Sequence, residues 1–148
     1  MLLLGTKNIT SQIVPSLSLL NVGSVYRRFD KKGICGLRAF EVNGTSISLQ
    51  QSGFYHITAT ATFTGAEPGD VTLQLLVDGQ AVDGAFATET ITTADTEFRS
   101  VVVDYYVLVD KDNILGNNVV DIKSIAFQNT GTIEATFTSF IVNVDKVV

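Results

Sequence analysis

Residues 47–64, ISLQQSGFYHITATATFT, decide the fold. From Tyr55 onward the odd positions are apolar, and the even positions hold His56 and four threonines. Side chains on a β-strand alternate between its two faces, so this pattern predicts one buried face and one polar face. Threonine is β-branched, which favours a strand over a helix. We predict a long strand that begins at Phe54, after a tight turn at Ser52-Gly53, and we expect the other segments to pair with it or pack against it.

Two dipeptides mark hairpins on either side of this strand. Asn43-Gly44 and Asp78-Gly79 suit two-residue type I′ turns, because both central residues of that turn take a positive φ. The first dipeptide predicts a hairpin over residues 37–49. The second predicts a weak return strand over residues 80–87, which leads into a polar loop or short strand over residues 88–95.

Two later segments are apolar on more than one face. In residues 98–110 both phases of the alternation carry apolar side chains, and in residues 133–145 the apolar phase changes part-way. The first pattern indicates an outer face that another chain covers, and the second indicates a bulge or burial on both faces. Eight or more short strands without a capped helical stripe predict an all-β fold. We expect an antiparallel β-sandwich of the Greek-key jelly-roll type.

The composition limits the partners that the chain can have. The 148 residues are enough for one domain with its own core, and 17% of them are charged. The net charge of −5 argues against nucleic acid, whose phosphates need a basic face, and no apolar run is long enough for a membrane span. A low charged fraction with 45% hydrophobic residues indicates that another subunit covers part of the surface.

The N-terminal segment shows no sustained period, and we predict an extended arm over residues 1–22 ahead of a jelly-roll domain over residues 23–148. One interpretation is a frayed or strand-adding terminus. The other is a docking arm that inserts apolar side chains into another protein. The predicted docking residues are Leu2, Leu3, Leu4, Ile9 and Ile13.

The basic cluster in residues 24–32 is open to two interpretations. It contains Tyr26 and Phe29 beside four cations, and it either contacts a phosphate or acidic partner or forms a solvated sheet edge that discourages pairing with other strands.

Few residues in the chain suggest chemistry. His56 is the only histidine and no nucleophile or orienting acid accompanies it. Cys35 is the only cysteine, so it forms no internal disulfide, and an inert thiol is favoured over a nucleophile. Residues 110–113 offer oxygen ligands but lack the rest of a calcium loop, which favours a plain turn. We therefore expect no enzyme activity, no metal and no cofactor.

The strand opened by Gly53-Phe54-Tyr55-His56-Ile57 resembles the long central strand of C1q/TNF-like jelly rolls. The resemblance continues through residues 71–79 and 101–109 and ends in the closing strand at residues 140–144. Within that superfamily the chain is most similar to small virion proteins of tailed bacteriophages, through residues 23–28 and the strand that follows. Those proteins are head-fibre or capsid-decoration proteins.

The resemblance implies a compact homotrimer in which one sheet packs around a threefold axis. It implies a place on the virion surface after assembly in the host cytoplasm, with the N-terminal arm attached to the major capsid protein or to another virion protein. The candidates for core or axis positions are Tyr55, Tyr106, Phe137 and Phe140.

A second hypothesis is a head domain of a phage spike or bacterial adhesin that binds a host cell-surface glycan or a receptor. Its binding loops would be residues 65–70 or 88–96. It predicts aromatic residues in exposed loops, for which Phe86 and Phe98 are the nearest candidates. A third hypothesis, an enzyme of the cupin or polysaccharide-lyase type, predicts clustered histidines, and the single histidine argues against it.

Overall fold

The computed structural model describes residues 2–30, 38–114 and 117–148, and these residues form thirteen β-strands and no helix. Cys35 and the lysines of the basic cluster lie outside the described residues. In chain order the strands are β1 (Leu3–Asn8), β2 (Gln12–Val14), β3 (Ser24–Phe29), β4 (Phe40–Asn43), β5 (Ser46–Leu49), β6 (Gly53–Gly65), β7 (Gly69–Val77), β8 (Gln80–Ile91), β9 (Arg99–Val109), β10 (Lys111–Ile114), β11 (Asn117–Val120), β12 (Lys123–Asn129) and β13 (Ala135–Lys146).

The strands form two antiparallel sheets that pack face to face. The first sheet has the order β3-β1-β13-β6-β9, and β2 also pairs with the start of β13. The second sheet has the order β4-β5-β12-β7-β8, while β10 and β11 pair separately. Neighbouring strands are often far apart in the sequence, as in a jelly roll. The predicted antiparallel β-sandwich is confirmed.

The core lies between the two sheets and is rich in aromatic rings. In β6 the odd positions from Tyr55 to Phe63 are fully buried, as the alternation predicts. Tyr55 packs edge-on against Phe40 of the second sheet, with ring centroids 5.8 Å apart. Phe140 packs in the same way against Phe127 at 5.3 Å. These pairs join the two sheets, since each takes one ring from either side.

The Tyr55 hydroxyl is the polar end of a fully buried ring. It donates a hydrogen bond to the backbone oxygen of Gln51 at 2.6 Å. Burial disfavours the charged phenolate and raises the pKa of Tyr55 to about 12.

The two predicted hairpins are present, but one turn differs from its prediction. Asp78 and Gly79 have φ values of 52° and 80°, so the type I′ prediction is confirmed there. In the other hairpin Asn43 pairs with Ser46, which makes Gly44 and Thr45 the central residues. Of those two only Gly44 has a positive φ, 59°. The prediction at Asn43-Gly44 is therefore wrong by one residue in position and also in type, since a positive φ at the first central residue alone is typical of a type II′ turn.

Two strand predictions are settled by the pairing of the sheets. Of the predicted loop or short strand over residues 88–95, residues 88–91 are the end of β8, because β7 pairs with β8 as far as Gly69, and residues 92–95 are a turn. The phase change in the last strand is a bulge, since the pairing of β13 with β6 shifts between Phe137 and Ser139.

The N-terminal segment belongs to the sandwich rather than standing apart from it. β1 lies between β13 and β3 in the first sheet, and Leu4 is buried in the core. Further along, Leu20 and Val22 are also fully buried. The segment is strand-adding, which was one of the two interpretations, because its apolar side chains complete the core. Its role in docking remains a prediction.

One close contact ties the end of β12 to β7. A side chain at Gly131 would place its Cβ 2.3 Å from the backbone oxygen of Asp70 and 2.7 Å from the Cα of Val71. Both neighbours are backbone atoms in a paired strand, so only glycine fits here.

Candidate functional site

The most unusual surface of the molecule is the outer face of β6 and β9, at one edge of the first sheet. The two strands pair so that Phe54 lies opposite Leu108, and His56 lies opposite Tyr106. Further along, Thr60 lies opposite Val102. Because alternate residues share a face, the even positions of both strands project away from the core. We call this surface the β6–β9 outer face.

This face presents large apolar side chains to solvent. Tyr106 is 48% exposed, Leu108 58%, Val102 55% and Phe54 39%. Phe54, Tyr106 and Leu108 are neighbours across the two strands and form a contiguous patch, whereas Asp104 on β9 separates Val102 from them. Contiguous apolar patches of this kind mark interaction surfaces.

Three rings on this face stack on one another. The Tyr106 ring is 5.2 Å from the Phe54 ring with 10° between their planes, and 4.7 Å from the His56 ring with 19° between their planes. Offset stacking is a favourable arrangement for aromatic rings. The stack therefore holds Tyr106 in one orientation before any partner arrives.

The polar contacts of His56 orient its ring but do not form a catalytic triad. Asp104 contacts Nε2 of His56, and the Thr58 hydroxyl lies 3.5 Å from the same nitrogen. A triad needs the acid and the nucleophile on opposite ring nitrogens. In addition, no group of three or more metal-ligating side chains occurs in residues 2–30, 38–114 and 117–148.

At the opposite edge of the same sheet Tyr26 lies across β1. Its hydroxyl donates a hydrogen bond to Oδ1 of Asn143 at 2.6 Å, and the Lys7 ammonium is 5.3 Å from its ring centroid. A Cβ at Gly5 would be 2.7 Å from this ring, so glycine lets Tyr26 lie close to the sheet.

The basic cluster begins on an edge strand, β3, in agreement with the interpretation as a sheet edge. Arg28 points inward and donates to the backbone oxygen of Phe40 at 3.3 Å.

The two loops predicted to bind a ligand meet at one end of the sandwich. The amide of Asp95 donates to the backbone oxygen of Gly65 at 2.9 Å. The turn over residues 92–97 is closed by the Glu97 carboxylate, which accepts hydrogen bonds from the Thr92 amide, the Arg99 guanidinium and the Thr93 amide. These hydrogen bonds lower the pKa of Glu97 to about 2.

Comparison with known proteins is informative at the level of structure. No protein-family model matches the chain, and no curated protein matches it in sequence. The globular domain of the zebrafish complement 1qA protein matches 100% of this chain and 98% of its own, with a TM-score of 0.62 and 7% identity. Eiger TNF from S. frugiperda matches 99% of this chain and 91% of its own, with a TM-score of 0.61 and 11% identity.

The chain has the C1q/TNF jelly-roll fold. Murine APRIL gives a similar match, over 95% of this chain and 97% of its own, with a TM-score of 0.53 and 9% identity. At these identities the likeness extends to the fold alone.

The jelly roll separates the four predicted core or axis residues into two groups. Tyr55, Phe137 and Phe140 are buried between the sheets, whereas Tyr106 lies on the β6–β9 outer face. Phe54, Val102 and Leu108 were not among the predicted site residues. The apolar even positions of residues 98–110 were the available signal, because they share the phase of Tyr106.

The predicted docking residues also fall into two groups in the jelly roll. Leu4 on β1 is buried in the core, and Leu2 and Leu3 are half-buried. Ile9 and Ile13 are 72% and 68% exposed. In the described part of the chain, no helix is long and apolar enough to cross a membrane.

Proposed function

We propose that the protein is a non-enzymatic structural protein of a virus particle, a homotrimeric capsid decoration or head fibre that attaches through its N-terminal segment. The observation that carries the proposal is the exposed cluster of Phe54, Tyr106 and Leu108 on the β6–β9 outer face, where ring stacking orients Tyr106. The resemblance of residues 23–28 and of the long strand to phage virion proteins supports the place on a particle.

Self-association would remove this face from water. Burial of apolar surface stabilises an assembly by about 25 cal/mol per Å², less the cost of ordering the chains. In a threefold arrangement each chain buries the same patch, so three small contributions add to the free energy of assembly. The stack of Phe54, Tyr106 and His56 lowers the ordering cost, because its rings are already held in place.

The experiment is the solution mass of the purified protein by light scattering, at micromolar and lower concentrations. A stable mass of three chains supports the proposal, and a mass of one chain throughout the series contradicts it. Quantitative mass spectrometry of purified particles tests the second half, since a decoration protein is present in many copies per particle.

A truncation of residues 1–14 is a poor test of attachment. It would remove β1 from between β13 and β3 and take Leu4 out of the core. Loss of incorporation would then follow from misfolding as readily as from lost docking. Point substitutions at exposed residues are the better choice.

A second candidate is a glycan- or receptor-binding head. Phe98 is 56% exposed and lies in the loop before β9, as that hypothesis requires, whereas Phe86 is 54% exposed but lies on β8 rather than in a loop. Binding of the purified protein to a glycan array, with loss of binding in Phe86→Ala or Phe98→Ala, would favour this candidate.

A further inference from the structure

A leucine occupies a glycine-type backbone position in the turn after β2. Residues 15–18 form a β-turn in which the amide of Ser18 donates to the backbone oxygen of Pro15 at 3.1 Å. Leu17 is the third residue of this turn and has a φ of 67°. A type II turn needs a positive φ at that place, which is why glycine or asparagine is usual there. For leucine this conformation is strained.

The side chain of Leu17 gains nothing from the fold in return. It is 69% exposed, although leucine is among the residues most often buried. The position thus carries two unfavourable features, backbone strain and exposed apolar surface. A single exposed leucine would be ordinary, but strain retained for an exposed side chain points to a role outside the chain itself.

Hydrogen bonds to the end of β12 and to Gly131 hold the turn rigid. The Leu17 amide donates to the backbone oxygen of Asn129 at 2.6 Å, and the Gln128 side chain donates to the backbone oxygen of Leu17 at 2.8 Å. The Ser16 hydroxyl donates to the backbone oxygen of Gly131 at 2.6 Å. The backbone of Leu17 is therefore held in place, so binding has to order only its side chain.

The chain segment that contains Leu17 carries no charge. Residues 8–26 contain no Asp, Glu, Lys, Arg or His, although a run of 19 residues would hold about three at the average of 17% for the chain. Ile9 and Ile13 in the same run are also exposed. Depletion of charged residues is typical of the centre of a protein–protein interface. An anionic lipid surface or a phosphate would instead call for basic residues.

We propose that Leu17 is an anchor that inserts into an uncharged, apolar pocket on another protein of the particle. This inference rests on the proposed function, because that function supplies the particle. It replaces an extended arm with a rigid attachment point, and the exposed Ile9 and Ile13 precede the anchor on the same uncharged segment.

The test compares three variants of the full chain. Leu17→Asn removes the apolar side chain and keeps a residue that accepts a positive φ, so its Tm should equal or exceed that of the wild type. Leu17→Met keeps an apolar side chain of similar volume. Ile122→Asn is the matched control, because Ile122 is 44% exposed and lies beside the opposite end of β12.

The assay is binding of the purified, labelled proteins to particles that were grown without this protein. We expect wild type, Leu17→Met and Ile122→Asn to bind with similar affinity. Leu17→Asn should bind at least roughly tenfold more weakly, because full burial of a leucine side chain is worth more than a tenfold change in Kd. The solution mass of all four proteins should be the same.

The other results would each contradict either the anchor role of Leu17 or the proposed function. If Leu17→Asn binds like the wild type, the anchor is refuted and the proposed function stands. If the wild type does not bind the particles, the virion function fails and the anchor fails with it. A lower Tm or a changed mass for Leu17→Asn would make Leu17 a structural residue. Binding to phosphatidylcholine vesicles that is lost in Leu17→Asn would replace the protein pocket with a lipid surface.

Discussion

Replacing Tyr106 with alanine tests whether the β6–β9 outer face is the contact between the chains of a trimer. Tyr106 is 48% exposed in the single chain and stacks between Phe54 and His56. An aromatic side chain has about 150–250 Å² to bury, so about 100 Å² of Tyr106 is available to a neighbouring chain. At about 25 cal/mol per Å² this area contributes about 2.5 kcal/mol for each chain.

A homotrimer loses this contribution three times, which makes assembly less favourable by about 7.5 kcal/mol. Since about 1.4 kcal/mol is a tenfold change in an equilibrium constant, the constant for three chains falls by about five orders of magnitude. The concentration at which half of the chains are assembled varies with the inverse square root of that constant. It should therefore rise on the order of several hundredfold.

Sedimentation velocity over a dilution series measures that concentration directly. The matched control is Phe86→Ala, because Phe86 is 54% exposed but lies on β8 of the second sheet. We expect Phe86→Ala to assemble like the wild type. If Tyr106→Ala keeps a three-chain mass over the whole series, or if both variants dissociate alike, the β6–β9 outer face is not the contact between chains.

Three further predictions concern stability. The pKa of Tyr55 is raised from 10.0 to about 12, so the fold favours its neutral form. Stability should therefore be lost as the pH rises through that interval, and alkaline unfolding of Tyr55→Phe should lack this step. The pKa of Glu97 is lowered from 4.5 to about 2, so the turn over residues 92–97 should become disordered as the pH falls through that interval. At neutral pH, Glu97→Gln should speed hydrogen exchange of the amides in this turn. Gly131→Ala should lower the free energy of unfolding in urea by more than about 2 kcal/mol, because the new Cβ meets backbone atoms. In the control Gly44→Ala the Cβ meets nothing within 4 Å, so the loss should be only about 1 kcal/mol of φ strain. Equal losses would contradict the contact at Gly131.

Much of the fold was predictable because its signals are local. The alternation from Tyr55 to Phe63 identified the buried face of β6, and the turn at Asp78-Gly79 was read correctly from two residues. The turn near Asn43 was misplaced by one residue, because its position depends on the pairing of β4 with β5. Likewise β8 extends to Ile91 because β7 pairs with it, although its own threonine-rich sequence is neutral on this point.

The candidate site was predicted only in part, since its members come from distant parts of the chain. Tyr106 was selected from its own strand, but its stacking with Phe54 and His56 follows from the register between β6 and β9, about fifty residues apart. The positive φ of Leu17 had no signal in the sequence, because leucine is not a residue that marks such a turn.

The sequence by itself determined that this protein is an all-β sandwich with one long amphipathic strand and an acidic, sparsely charged surface. It could do so because side-chain alternation, turn chemistry and composition are properties of neighbouring residues and of sums over the chain. Only the tertiary structure decided which apolar residues remain exposed. Exposure depends on the partner strand and on the opposite sheet, and so Tyr55 is buried while Tyr106 and Leu17 face outward.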